Sequence, residues 1–337
     1  MVDIKQKIIM NNKNAKIYIA GHNGLVGSAI VRKLNTEGYT NLLTRSHMDL
    51  DLLDQMAVND FFKREKPEYV FLAAAKVGGI GANSTYPADY IYQNTIIGFN
   101  VIHAAYRNNI KKLINLGSSC IYPKNTPQPI KEEYLLSDLL EPTNEAYAIA
   151  KISIIKLCTF YNRQYGTNYL SVMPANLYGF RDNYNLENSH VLPALIRKFH
   201  EAKISGDNKV VLWGDGSPRR EFLFSDDLAD ALILLMKKYN AGDLANIAGD
   251  FINIGSGKDL TIRELAEIIK NIVYNDNSGE FCQIEWDISK PNGTPQKLLD
   301  ISKILELGFS PKINLVDGIK KVYNDFEHRI KNKLEIS

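Results

Sequence analysis

A short apolar strand that runs directly into a glycine-rich loop and then a helix constrains this chain more than any other feature. Residues 16–20 (KIYIA) form the predicted strand, Gly21, Gly24 and Gly27 follow, and residues 25–37 have helical periodicity. Glycines at this spacing permit a tight turn and let the backbone approach a pyrophosphate at the helix N-terminus. The order of elements predicts a dinucleotide-binding unit, although a glycine triplet by itself would fit any tight turn.

The rest of the first half alternates strands with helices. Strands are predicted at 41–44, 69–75, 112–117 and 169–174, and helices at 54–65, 93–108 and 143–165. Strands that alternate with helices of this length are typical of parallel sheets covered on both faces. We therefore expect an α/β fold with a Rossmann-type doubly wound parallel sheet.

After about residue 180 the alternation of strands and helices becomes less regular. A polar loop at 183–190 precedes a predicted helix at 191–203 and a strand-and-loop segment at 209–220. A helix at 226–239 and a strand at 251–254 are expected to return to the first sheet, and helices at 262–272 and 315–329 follow. We predict a cofactor-binding domain over 14–180 with returning segments near 221–256. A smaller, interwoven C-terminal α/β substrate domain would cover 181–220 and 257–337.

Composition excludes several classes of protein. Of 337 residues, 45% are hydrophobic and 23% charged, so a large core can be buried and general disorder is excluded. A net charge of +2 gives no general attraction to nucleic acid or membrane, so we expect neither as a partner. No apolar run is long enough for a membrane span, and residues 1–16 are expected to be a polar extension rather than a signal peptide.

The cysteines point to the compartment. Cys120, Cys158 and Cys282 are odd in number, far apart and without a C-x-x-C pair. That pattern fits reduced thiols in the cytoplasm and predicts no metal site.

The end of the second predicted strand decides between the two nicotinamide dinucleotides. A ribose 2′-hydroxyl is usually bound there by Asp or Glu, whereas a 2′-phosphate needs a cation. The chain has Arg45 and His47 at this point, and no carboxylate before Asp49. We predict NADP(H), although a solvated surface arginine would give the same pattern.

Among the tyrosines, only Tyr147 is followed four residues later by a lysine, Lys151. The two side chains share a helix face, so the ammonium is expected to lower the pKa of the phenol. A chance surface pair is the alternative interpretation. It is disfavoured because the preceding strand ends at Ser118, whose hydroxyl can polarise a substrate carbonyl.

Together GHNGLVG (21–27), YAIAK (147–151) and the strand-end Ser118 resemble the extended short-chain dehydrogenase/reductase family. Longer blocks are similar to the GDP-L-fucose synthases within it: AAAKVGGI (73–80), TYPADYIYQN (85–94), LGSSCIYPK (116–124), EPTNEAYAIAK (141–151), SVMPANLYG (171–179) and GTPQKLLD (293–300). The resemblance implies an NADPH-dependent 3,5-epimerase/4-reductase of GDP-4-keto-6-deoxy-D-mannose, and a homodimer.

The resemblance also implies residue roles. Tyr147 would protonate the alkoxide at C4 while Ser118 polarises the carbonyl and Lys151 binds the nicotinamide ribose. Cys120 and His190 would exchange protons at C3 and C5, which the C4 ketone acidifies. Residues implied in cofactor binding are Gly21, His22, Asn23, Gly24, Leu25, Val26, Gly27, Arg45, His47, Leu116, Gly117, Ser119, Lys151, Pro174, Ala175, Asn176, Leu177 and His190. Those implied in nucleotide-sugar binding are Lys198, Trp213, Arg220 and Lys297, with Arg219 as a competitor of Arg220.

Three departures from the family pattern keep alternatives open. Asn23 and His47 stand where well-known bacterial members have arginine, so recognition of the 2′-phosphate would rest on Arg45. Lys198 replaces an arginine, which keeps the charge and loses the bidentate fork. The nearer alternative is a C4-reductase, with or without epimerisation, of a related GDP-4-keto sugar such as a GDP-heptose. The remote one is a non-catalytic NADP-binding sensor.

Overall fold

The computed structural model describes residues 10–274, 282–290 and 292–332, so most of the predicted polar extension lies outside the described residues. The strands are β1 (Ile17–Ala20), β2 (Leu42–Leu43), β3 (Tyr69–Leu72), β4 (Lys112–Leu116), β5 (Tyr169–Pro174), β6 (Asn176–Tyr178), β7 (Lys209–Trp213), β8 (Arg219–Phe224), β9 (Ile252–Ile254), β10 (Asp259–Thr261), β11 (Gln283–Asp287) and β12 (Gln296–Lys297). The helices are α1 (Leu25–Thr36), α2 (Gln55–Glu65), α3 (Ile80–Thr85), α4 (Pro87–Arg107), α5 (Glu145–Tyr165), α6 (Val191–Ser205), α7 (Ser225–Lys238), α8 (Ala241–Ala248), α9 (Ile262–Tyr274), α10 (Ser302–Glu306) and α11 (Leu315–Lys331). Single 3₁₀ turns lie at Ser119–Ile121, Glu132–Tyr134 and Pro142–Asn144.

Within the described ranges the main sheet has six strands in the order β2-β1-β3-β4-β5-β9, and every pair of them is parallel. The doubly wound parallel sheet is thus confirmed, and β9 returns to its edge beside β5 as predicted. The direction of winding reverses between β1 and β3. In such sheets the ligand crevice lies at the carboxyl ends of the strands beside that reversal.

Strand alternation divides the core into two layers. Ile17 and Ile19 face one way and pack into the cluster that includes residues of α1 and α7. Tyr18 and Ala20 face the other way and join residues of α2 and α4, among them Phe61. All four β1 residues are buried because a parallel sheet is covered on both faces. The strand ends are therefore the part of the sheet left for ligand chemistry.

A second core lies beyond the main sheet. Strand β8 pairs with β10, β12 and β6, while β7 pairs with β11. Helices α6, α9 and α11 pack against these strands around Phe199, Leu265 and Phe326. Within β8, Leu223 packs in the main core while Phe222 and Phe224 pack in the second one. Because one strand serves both cores, the domain boundaries near 180, 221 and 256 stay a prediction.

Element boundaries differ from expectation at a few points. The helix predicted at 93–108 begins at Pro87, since proline is tolerated in a first helical turn. The strand predicted at 69–75 ends at Leu72, because the next residues line a cavity. Short elements such as α3, α8 and β12 were not predicted, since they are too short to show periodicity. None of the helices in the described ranges has the length and apolar character to cross a membrane.

Candidate active site

Two cavities meet at the carboxyl ends of the main-sheet strands. The larger, about 750 Å³, is lined by the glycine loop, by residues after β3 and β4, and by Pro174–Leu177. All residues predicted to bind the cofactor line it. The smaller, about 560 Å³, lies between the main sheet and the second core. Ser118, Tyr147 and His190 are among the residues that line both cavities, so they lie in the wall that the two cavities share.

The glycine loop is packed too tightly for any other residue at two positions. Gly21 has φ +84°, and a Cβ there would lie 2.7 Å from the Ala74 backbone nitrogen. A Cβ at Gly27 would lie 2.0 Å from the Gly21 carbonyl oxygen. These glycines let the turn fold back onto α1, whose first N–H groups have no intrahelical acceptor. The loop fits a dinucleotide, because a cradle of this kind binds pyrophosphate through backbone N–H groups.

Arg45 and His47 line the cavity at the end of β2, as predicted, but both have partners in the protein. Arg45 donates to the Thr44 carbonyl at 2.7 Å and pairs with Glu65 at 3.1 Å. His47 Nδ1 lies 3.7 Å from an Asp51 carboxylate oxygen. The positive charge of Arg45 is therefore partly balanced before any ligand arrives.

The catalytic side chains predicted from the strand end and the helix come together. Ser118 lies two residues after β4, and its hydroxyl accepts a hydrogen bond from the Cys120 backbone N–H at 3.4 Å, at the start of the 3₁₀ turn. Tyr147 and Lys151 lie one turn apart on α5, with the Lys151 ammonium 5.7 Å from the Tyr147 ring centroid. The Lys151 Nζ donates to the Leu116 carbonyl at 2.8 Å. That bond fixes the ammonium beneath the end of β4.

The expected lowering of the Tyr147 pKa is wrong for this structure. Burial raises the pKa of Tyr147 well above its usual value, and only the hydrogen bond with Ser118 opposes the shift. Removing the phenolate from water outweighs a cation whose own hydrogen bond goes to a carbonyl. Burial also lowers the pKa of Lys151 to about 8. Tyr147 is thus a protonated phenol near neutral pH, which suits a proton donor.

Cys120 and His190 both line the smaller cavity, from different elements of the fold. Cys120 is buried in the 3₁₀ turn, and burial raises the pKa of its thiol while the Lys297 charge opposes the shift. His190 is the N-cap of α6 and opens onto both cavities. Desolvation of the His190 ring by the surrounding protein lowers the pKa of the imidazole. A neutral thiol and a neutral imidazole therefore flank the space beside Ser118 and Tyr147.

Four side chains predicted to bind nucleotide-sugar line the smaller cavity: Lys198, Trp213, Arg220 and Lys297. Lys198 donates to the Val211 carbonyl at 2.9 Å. Trp213 is 54% exposed at the end of β7. The cavity distinguishes the two neighbouring arginines: Arg219 is absent from its lining and pairs with Asp259 at 2.8 Å. Burial lowers the pKa of Arg220 to about 10 while Glu141 opposes the shift, so its guanidinium remains charged.

Two charged residues that line the cavities were not predicted from the sequence. Glu141 is buried, lines the smaller cavity and lies 3.0 Å from Lys124. Its only signal was its place in the block EPTNEAYAIAK, six residues before Tyr147. Arg181 lines the larger cavity from the loop after β6. No spacing rule singles it out, because that loop reaches the cofactor space only through the fold.

Comparison with known proteins identifies the family. Residues 17–255 match the family model described as NAD dependent epimerase/dehydratase family. GDP-L-fucose synthase 1 of Arabidopsis thaliana is 55% identical over 324 residues, covering 96% of this chain and 97% of that protein. GDP-L-fucose synthase of Escherichia coli (strain K12) is 52% identical over 313 residues, covering 92% and 96%. A solved structure of a GDP-mannoheptose C4 reductase from Campylobacter jejuni with NADP bound is 42% identical, with a TM-score of 0.83, and covers 94% of this chain and 99% of that one.

The matches extend over nearly the whole chain and include both cavities. The chain therefore belongs to the NAD dependent epimerase/dehydratase family of extended short-chain dehydrogenase/reductases, and within it to the group of the GDP-L-fucose synthases.

Proposed function

We propose that this protein is an NADPH-dependent epimerase/reductase that converts GDP-4-keto-6-deoxy-D-mannose to GDP-L-fucose. The observation that carries the proposal is the shared wall of Ser118, Tyr147 and His190 between the two cavities. A dinucleotide in one cavity and a nucleotide-sugar in the other would place their reactive ends at that wall. Relatives named GDP-L-fucose synthase at 52% and 55% identity support the same activity.

The larger cavity would bind NADP(H). The glycine loop would bind the pyrophosphate, Arg45 the ribose phosphate, and Lys151 the nicotinamide ribose, with Pro174–Leu177 beside the nicotinamide. The related reductase solved with NADP supports this cofactor. NADPH, when bound, supplies the hydride that reduces C4.

The protein's own residues would carry the proton transfers at carbon. The C4 ketone acidifies the C3 and C5 hydrogens, and an enolate forms when a base removes one of them. Cys120 Sγ and His190, which face the cavity from different elements, would remove a proton on one ring face and return one on the other. Each inversion leaves the atom count of the substrate unchanged.

Reduction would end at Tyr147 and Ser118. The Ser118 hydroxyl would donate a hydrogen bond to the C4 oxygen, and Tyr147 Oη would transfer its proton to that oxygen as charge develops. A raised phenol pKa suits this step, because the alkoxide is the stronger base. Lys151 would then restore the phenol proton through the neighbouring polar groups.

The nucleotide end of the substrate would bind in the smaller cavity. Lys198, Arg220 and Lys297 bring positive charge to a space enclosed on one side by Trp213. A diphosphate makes charge-assisted hydrogen bonds with such groups. We place the diphosphate near Arg220 and Lys198, and the sugar near Cys120.

The test is the mass spectrum of product formed from GDP-4-keto-6-deoxy-D-mannose and NADPH in deuterium oxide. Two carbon-bound deuterons, at C3 and C5, with NADPH consumed, are expected. Cys120→Ser and His190→Asn should each reduce deuterium incorporation while cofactor binding persists. Absence of NADPH consumption with this substrate by the wild-type enzyme would contradict the proposal.

A second candidate is a C4-reductase of a GDP-linked heptose. Its support is the GDP-mannoheptose C4 reductase, which is 42% identical over nearly the full length of both chains. In that case NADPH would be consumed with the heptose substrate and no deuterium would enter carbon. Parallel reactions in deuterium oxide, one with GDP-4-keto-6-deoxy-D-mannose and one with a GDP-linked 4-keto heptose, therefore separate the two candidates.

We further propose a homodimer formed through α4 and α5, which pack side by side. Their exposed faces carry Tyr92, which is 64% exposed, Phe160, which is 52% exposed, and Tyr165. Large exposed apolar patches mark protein interfaces. Phe160→Glu is expected to convert a dimer to monomer in light scattering, whereas Leu139→Glu, at an exposed apolar residue outside these helices, should not.

We propose the cytoplasm as the location. Cys120, Cys158 and Cys282 are buried free thiols, which fits a reducing compartment. Alkylation of the protein in intact cells under denaturing quench is expected to find all three reduced.

A further inference from the structure

The larger cavity must accommodate a ligand with several negative charges, yet most cations around it already have partners. Arg45 pairs with Glu65 at 3.1 Å, Lys76 pairs with Asp89 at 3.0 Å, and the Lys151 ammonium donates to a carbonyl. Arg181 also lines the cavity, and among the described residues it has no hydrogen bond or ion pair. Its guanidinium is thus the cation most available to an incoming anion.

The loop that carries Arg181 lies across the start of α1. A Cβ at Gly179 would lie 3.3 Å from Leu25, the first residue of that helix. Phe180 packs beneath the Arg32 guanidinium at 5.3 Å, about two turns along α1 from Leu25. Burial lowers the pKa of His22, and the charge of Arg181 adds to the shift. Arg181 therefore stands near the glycine loop rather than at the nicotinamide end.

The backbone of Arg181 has an unusual conformation for a side chain of its kind. Its φ is +62°, in the left-handed region that non-glycine residues rarely occupy. Such conformations are concentrated at ligand-binding positions, where the surrounding structure maintains them. Here the packing of Gly179 and Phe180 on α1 and α7 provides that support.

We propose that Arg181 is a ligand of the dinucleotide pyrophosphate, acting together with the N–H groups of the glycine loop. The inference rests on the proposed function, since it concerns the same cofactor. The guanidinium fork suits two phosphate oxygens at once, and a helix N-terminus already favours negative charge there. Arg181 would thus contribute to the affinity for both NADPH and NADH, because both contain the pyrophosphate.

The test compares Arg181→Asn with Lys66→Asn in the full-length protein. Asparagine tolerates left-handed backbone, so both variants lose one charge without new strain. Lys66 has φ +47°, is exposed and lines neither cavity, which makes it a matched control. NADPH and NADH are each titrated by calorimetry. Arg181→Asn is expected to raise both Kd values about tenfold, and Lys66→Asn neither.

Each outcome bears on the proposal. Weaker binding of NADPH alone would assign Arg181 to the ribose phosphate and overturn the pyrophosphate role. Unchanged binding of both dinucleotides by Arg181→Asn, with normal wild-type binding, would overturn the inference and leave the proposed function intact. Wild-type protein that binds neither dinucleotide would overturn both. If Arg181→Asn does not fold, Arg181→Lys should still raise both Kd values about threefold, because it keeps the charge and loses the fork.

Discussion

Gly27→Ala should disable the cofactor site while leaving the rest of the fold in place. The added methyl would lie 2.0 Å from the Gly21 carbonyl oxygen and 2.8 Å from the His22 Cα. Both are backbone atoms, so no side-chain rotation can relieve the overlap. The turn must move by about 1 Å to relieve the overlap. That movement would displace the N–H groups of the glycine loop from the start of α1.

The expected result has two parts. Overpacking should lower the free energy of unfolding by about 1–3 kcal/mol. A displacement of about 1 Å at the phosphate cradle should weaken NADPH binding and reduce kcat/KM by about 100-fold. Thermal denaturation measures the first effect. Titration with NADPH and single-turnover NADPH oxidation measure the second.

Gly242→Ala is the matched control. Gly242 lies in the first turn of α8, and nothing lies within 4 Å of a Cβ there. The exposed helical position should gain about 0.5–1 kcal/mol of stability and keep wild-type NADPH binding. If Gly27→Ala bound NADPH with wild-type affinity, the loop would not be the phosphate cradle, and the steric reasoning would be refuted.

Three further predictions concern titratable groups. Tyr147→Phe should lower the single-turnover rate of NADPH oxidation by about 100- to 10,000-fold and leave the Kd for NADPH unchanged; a rate within threefold of wild type would exclude Tyr147 as the proton donor. The pKa of Lys151 is lowered to about 8, so the ammonium is lost and kcat/KM should fall as the pH rises above that value. A pH profile of kcat/KM that is flat to about pH 9.5 would contradict the role of the ammonium. Burial raises the pKa of Asp182 to about 7, so ionisation of this carboxyl between about pH 4 and 7 opposes folding. The Asp182→Asn variant should therefore become progressively more stable than wild type across that range, by up to about 2 kcal/mol in urea denaturation at pH 7.5. A stability difference that does not depend on pH would refute the assignment.

The main sheet was predictable because its elements are long and periodic. Residues of α1, α5 and β5 carry both the period and the stop signals, and their bounds agree with expectation within two residues. The strand β12 has two residues and pairs with β8, which is distant in sequence. Local pattern cannot specify such a strand, since its only stabilisation comes from a remote partner.

The placement of Tyr147 and Lys151 on one helix face was predictable, because their spacing alone specifies it. The protonation of Tyr147 was not predictable, because burial raises the pKa and burial depends on the completed fold. The separation of Arg220 from Arg219 needed the strand geometry, since alternation along β8 turns only one of them toward the cavity. Arg181 was not predicted because it lies on the loop after β6, which only the completed fold brings to the larger cavity.

The late return of β9 to the edge of β5 has a consequence for how the protein is made. Strand β5 ends at Pro174 and its neighbour β9 begins at Ile252, so the ribosome must synthesise the intervening chain before that edge can pair. At about 5–20 residues per second this takes roughly 4–16 s. During that interval a buried, apolar strand has an open hydrogen-bonding edge. The nascent chain is then most exposed to aggregation, and we expect chaperone dependence to be greatest at that stage of translation.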